Sequence, residues 1–249
     1  MNWSIVGWVV IALSALLLVI CSLLGKKLDF YSIRRSSSVA GLIKAQITAI
    51  ERGQPRLVAI GDQFWSRAYP GLGLHTLTSL PMLADSENVM DGGLSVAGGD
   101  GSLLVLAHQI VQNGYVNGFS MELSKPRMSA ILPGPTQLSF SVGLLSELGL
   151  QKYGSIALFG NYGPAAILWT EAVQSKGGYA FAAAGSLPSQ AALLFSVRDL
   201  MIGESVFSMS GLLSSNLADQ ARWLTEDILR VLLIFSLVAG VIMKLTGVL

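Results

Sequence analysis

The stretch SIALFGNYGPAAILWTEAVQSKGGYAFAAAG, Ser155 to Gly185, decides the fold. An apolar run, SIALF, ends on Gly160, and a second, YAFAA, ends just before Ala184 and Gly185. Neither run alternates with polar residues, the pattern of a strand buried on both faces. Between them GPAAILWTEAVQSKG (163 to 177) has proline near its start and glycine at its end, which is how a helix opens and stops. Strand, helix and strand in so short a span make a βαβ unit. Its two strands must be parallel and its crossover right-handed.

The same rhythm runs outward in both directions. Short apolar runs at LVAI (57 to 60), LSVA (94 to 97), SAIL (129 to 132) and LMI (200 to 202) end on Gly61, Gly98, Pro133 with Gly134, and Gly203. Helices are expected at 102 to 115 and 135 to 149, and another over Val39, Leu42, Ile43, Ile47 and Ile50, capped by Ser36 to Ser38. The expected fold is α/β, a doubly wound, mostly parallel, Rossmann-like sheet. The connection from Gln63 to Gly73 is long and aromatic; Phe64, Trp65, Tyr69 and Pro70 could grip a ligand or a neighbouring subunit, or cover a sheet edge.

Outside this domain the sequence changes character. WSIVGWVVIALSALLLVICSLL, Trp3 to Leu24, carries no charge, and roughly 20 apolar residues span a bilayer as a helix. Uncharged residues precede it and Lys26 and Lys27 follow it, the reverse of a cleavable signal peptide, so an uncleaved anchor is expected. Ile228 to Leu249 reads as a second span, with Arg230 and Lys244 snorkelling to the interfaces and Ser236 and Gly240 as a small-residue pair for helix contact. Leu217, Ala221, Leu224 and Ile228, with Arg222/Glu226 and Glu226/Arg230 four apart, suggest a helix leading into that span. Lys26, Lys27, Arg34, Arg35, Arg222 and Arg230 all flank the central domain, which places it in the cytoplasm and both termini on the far side. The expected organisation is a transmembrane helix over 1–25, a basic juxtamembrane segment with the first helix over 26–54, the α/β domain over 55–211, and a juxtamembrane helix continuing into the C-terminal transmembrane helix over 212–249.

Charged residues make up only 12% of the 249-residue chain against 52% hydrophobic, about half the roughly 25% charged share of soluble proteins. Apolar surface must therefore be hidden by lipid or by partner chains as well as by a core. A net charge of +1 offers no global field for nucleic acid. The single cysteine, Cys21, excludes internal disulfides, and with only His75 and His108 as imidazoles no histidine-rich metal site is expected.

Ligands of doubly wound sheets bind beyond the carboxyl ends of the strands. Two turns there carry the candidate ligand-binding residues: Gly98, Gly99, Asp100, Gly101 and Ser102 in one, Asn161 and Gly163 in the other. Glycines let backbone N–H groups approach a phosphate at a helix N-terminus, where Asp100 could orient a hydroxyl or Mg²⁺. The same residues also serve as turn glycines and helix caps. Over about eight residues GGDGS resembles the GGDG(T/S) turn of the NAD kinase and diacylglycerol kinase superfamily, but the partner motifs those kinases need are not visible elsewhere. No G-x-x-x-x-G-K-[ST], complete dinucleotide fingerprint or G-x-S-x-G elbow occurs, so no catalytic residue and no particular cofactor is expected.

LFGNYGPAAILWTEA (158 to 172), AAAGS (182 to 186) and MIGESVF (201 to 207) resemble an uncharacterised family of bacterial membrane proteins, a domain of unknown function. The similarity runs from about Pro55 to Gly211 and includes the glycines at 71 and 73 and at 99 and 101, with His75 where the family pattern has an acidic residue. It implies a membrane-attached α/β domain and no established activity. The expected function is a membrane scaffold or assembly subunit forming homo- or hetero-oligomers; the alternative is a membrane-anchored nucleotide- or small-anion-binding domain.

Overall fold

The computed structural model describes residues 37–61, 72–85, 93–118, 130–213 and 225–235, with positions 8, 16, 19, 20, 237 and 238. The chain divides into two units, Ser36–Leu213 and one composed of Met1–Arg35 and Ser214–Leu249.

In the first unit, six strands form one sheet: β1 (Arg56–Ile60), β2 (Leu94–Gly98), β3 (Ala130–Ile131), β4 (Ser155–Phe159), β5 (Tyr179–Ala184) and β6 (Asp199–Ile202). All pairings are parallel and the order is β3-β2-β1-β4-β5-β6, the doubly wound arrangement with its switch point between β1 and β4. Among the described residues of this unit the helices are α1 (Ser37–Glu51), α2 (Leu72–Asp85), α3 (Gly101–Gly118), α4 (Gln137–Leu150), α5 (Ala166–Gln174), α6 (Leu187–Leu194) and α7 (Met209–Leu213). A 3₁₀ turn, Gly203–Ser208, leads into α7. β1, β2 and β4 are buried along their whole length, the physical basis of their unbroken apolar runs.

Alternate strand residues feed two cores. Val58, Ile60, Val96, Phe159 and Phe181 meet α1, α2, α3 and α7 on one face; Leu57, Ala59, Ile156, Leu158 and Ala182 meet α4, α5 and α6 on the other. The crossovers between β1, β2 and β3 cover only half of the first face. Helix α1 covers the rest, packing over β4, β5 and β6 together with α7. Although placed with the juxtamembrane segment in the sequence reading, α1 is thus part of the unit Ser36–Leu213. Gly41 lets it sit down there, because a Cβ would lie 2.7 Å from the Tyr179 hydroxyl and 2.8 Å from Asp199 Oδ2.

The expected spans Trp3–Leu24 and Ile228–Leu249 lie largely outside the described residues, as do Phe64, Trp65, Tyr69, Pro70, Arg222, Ser236, Gly240 and Lys244. Among the described residues no helix is long and apolar enough to cross a membrane. Residues 225–235 are helical, and Val231 to Phe235 are all exposed. Arg230 meets Asp227 at 3.4 Å on that helix, three residues apart.

Candidate ligand-binding edge

The candidate residues lie at the carboxyl edge of the sheet, in the turns after β2 and β4, on either side of β1. They do not converge on one site, because α3 leaves toward one face and α5 toward the other.

In the turn after β2, Asp100 is turned back on its own helix. Its Oδ1 accepts the Ser102 backbone N–H at 2.8 Å and the Ser102 hydroxyl at 2.6 Å, and its carbonyl accepts from Leu104 N at 3.0 Å. The hydrogen bond from the Ser102 side chain, helped by the backbone N–H groups of Ser102 and Leu103, holds the Asp100 carboxyl below its usual range. The carboxylate thus sits at the first turn of α3, the place where an external anion would seek free N–H groups. Gly98, Gly99 and Gly101 are not among the glycines with positive φ. A Cβ at Gly98 would make ordinary contact with Leu104, and one at Gly101 would meet nothing within 4 Å. Their bare backbone is not required by the fold's own packing.

The turn after β4 is built differently. Gly160 has φ +134°, and a Cβ there would lie 2.8 Å from the backbone of Gly61, while one on Gly61 would lie 2.9 Å from Asn161 N. The segments that leave β1 and β4 touch backbone to backbone at the switch point. Asn161 Oδ1 accepts the Ser186 N–H at 2.8 Å, joining the ends of β4 and β5. Ser189, fully buried, accepts the Tyr162 N–H at 2.8 Å and donates to the Tyr162 carbonyl at 2.5 Å, with the Ser186 hydroxyl 2.7 Å away. Gly163 lies against the Gln137 side chain at the start of α4. The Tyr162 hydroxyl donates toward the carbonyls of Ala59 at 2.6 Å and Phe159 at 3.1 Å, bridging β4 to β1. Its ring packs edge-on against Trp169 and stacks with Phe140, so the switch point is closed from the α4–α5 side.

Sequence reasoning singled out neither Tyr162's bridge nor Arg56. Arg56 is fully buried at the opposite, amino edge, where Nη1 donates to Gln46 Oε1 at 3.0 Å and to the Leu83 carbonyl at 3.2 Å. Burial pushes its pKa down to about 10. Its bonds join α1 and α2 to the head of β1, away from the candidate turns. The described residues contain no group of three His, Cys, Asp or Glu able to hold a metal ion.

Compared with protein-family models, with curated proteins and with solved structures, the chain matches none of them. The fold assignment rests on the strand order of the sheet itself.

Proposed function

We propose that the chain is a membrane-anchored assembly subunit, held in the bilayer by Trp3–Leu24 and Ile228–Leu249, whose cytoplasmic α/β units associate without performing catalysis. The observation that carries this reading is the outer surface of α4, α5 and α6, where Leu138, Val142, Leu168, Leu187, Leu194 and Phe195 all stand exposed. Soluble monomers rarely present so many large apolar side chains on one side. The exposed apolar run from Val231 to Phe235 supports the membrane part, since a helix apolar all round needs lipid or protein about it. The full chain should remain with the membrane after an alkaline wash and run as an oligomer in mild detergent by light scattering. A chain that dissolves in plain buffer, or that is monomeric in detergent, would sink the proposal.

The bare backbone at Gly98 and Gly101 favours a second reading, in which the carboxyl edge takes a nucleotide or another anion. It predicts stabilisation of about 2.7 kcal/mol at a hundredfold excess over Kd. Because the Asp100 carboxylate occupies the first turn of α3, Asp100→Ala should enlarge that shift for an anion bound there, and a panel of nucleotides and anions giving no shift with either form would remove the reading.

A further inference from the structure

Resting on the assembly reading above, the geometry points to one surface and one partner: a two-fold contact between two copies of this chain, made by the outer faces of α4, α5 and α6 with Leu168 near the axis.

The three helices each return from the carboxyl edge antiparallel to the strand they follow, so their first turns lie side by side there. Helix α5 packs against both α4 and α6 and lies between them. Each first turn presents a leucine: Leu138 is 76% exposed, Leu168 55% and Leu187 79%. Val142 on α4 and Ala191 on α6 extend the row by one turn, and Leu194 and Phe195 continue it toward the other edge. These positions are not core residues out of place. The inward stripes of the same helices, Phe140, Leu144 and Leu148 on α4, Trp169 and Val173 on α5, Leu193 on α6, already fill the core. The helices are apolar on both sides, and among the described residues of the unit Ser36–Leu213 nothing covers the second side.

Charge chooses between a lipid surface and a second copy. Across the three helices the only charged residues are Glu147 and Glu171, and Glu147 accepts from the Tyr153 hydroxyl at 2.8 Å. A cytoplasmic membrane leaflet attracts clustered cations, whereas here the nearest ones, Lys152, Lys176 and Arg198, stand singly past the helix ends and none lies among the leucines. A two-fold contact sets the same patch against itself, so a neutral apolar patch incurs no like-charge repulsion. Area agrees. From their exposed fractions these side chains offer on the order of 800 Å² per copy, about what a standard interface takes from each partner. With α5 in the middle, the two-fold axis falls near Leu168, and Leu138 of one copy faces Leu187 of the other.

The test uses the full chain in mild detergent, in a Cys21→Ser background. Leu168→Cys should form a covalent dimer on mild oxidation, whereas Val105→Cys, exposed on the opposite face, should not. Leu138→Glu combined with Leu187→Glu should halve the mass measured by light scattering while the far-ultraviolet circular dichroism stays unchanged. An oligomeric wild type whose mass survives the double substitution and whose Leu168→Cys form stays uncrosslinked would overturn this surface and leave the assembly reading standing. A monomeric wild type would overturn both. A monomer in which phospholipid vesicles shield Leu168→Cys from an impermeant thiol reagent would assign the face to lipid instead.

Discussion

The turns after β2 and β4 look alike in sequence, each a short glycine-rich link from a buried strand to a helix, yet they are held by opposite means. The first is satisfied from within: Asp100 caps α3 through Ser102, two residues away, its glycines do not adopt positive φ, and neither Gly98 nor Gly101 fills a crowded space. The second is held from outside, by Gly61 just past β1, Ala59 on β1, and Ser186 and Ser189 beside β5. A motif rich in glycine is therefore a poor guide to where the fold is committed. The number of distant chain segments that meet at a turn is a better one, and by that measure the switch point is the fixed part of the carboxyl edge.

Gly160→Ala should produce the largest effect. A φ of +134° is almost closed to residues with a Cβ, and the added methyl would press on the Gly61 backbone at 2.8 Å, which has no rotamer to escape into. Strain and overpacking together should cost about 3 kcal/mol or more, read as a lower denaturant midpoint of the full chain in mild detergent. Gly101→Ala, at a residue with open space and ordinary φ, is the matched control and should not destabilise. Equal losses at both glycines would erase the distinction between the turns.

Tyr162→Phe comes next. It keeps the ring between Phe140 and Trp169 but removes the hydroxyl donated to the Ala59 and Phe159 carbonyls, a loss of roughly 1–3 kcal/mol for a buried hydrogen-bonded group. Because the bond ties β4 to β1, hydrogen exchange should quicken at Gly61 and Gly160 more than at Gly98. Uniform quickening would mean that the hydroxyl does not anchor the switch point.

These two positions mark where sequence legibility stops. Strands buried on both faces announce themselves as apolar runs, so β1, β2, β4 and β5 stand within a residue of where the sequence puts them. β3 is harder: an edge strand pairs on one side only, and of the described residues of SAIL Ala130–Ile131 joins the sheet while Leu132 does not. Three helices, α2, α6 and the five-residue α7, are not named by the sequence reading. Pro81 breaks the pattern of α2, whose core positions Leu77, Leu80, Leu83 and Ala84 nonetheless recur at helical spacing, and α6 has only eight residues behind Pro188. The expected strand began at Leu57, since a charged residue ahead of an apolar run reads as surface; Arg56 is instead buried because Gln46 and the Leu83 carbonyl accept its hydrogens. The glycines of the candidate edge were visible as residues, but their roles were not. Tyr162 and Ala59 lie 103 positions apart, and no local pattern encodes that bond.

The smallest effect belongs to the turn that looked most like a site. Asp100→Ala removes the side-chain acceptor for the Ser102 N–H and hydroxyl, a cap worth about 1 kcal/mol. The sign of its pH dependence follows from the lowered carboxyl pKa in the folded chain. A depressed carboxylate stabilises fully above the pKa of the unfolded state, and that contribution fades as pH falls through the folded-state value. The gap between wild type and Asp100→Ala, measured as urea midpoints, should be widest near neutrality and narrow below about pH 4. A gap that persists unchanged in acid would show that the carboxylate charge is not what holds the turn, and would remove the physical difference between a self-capped link after β2 and an externally tied one after β4.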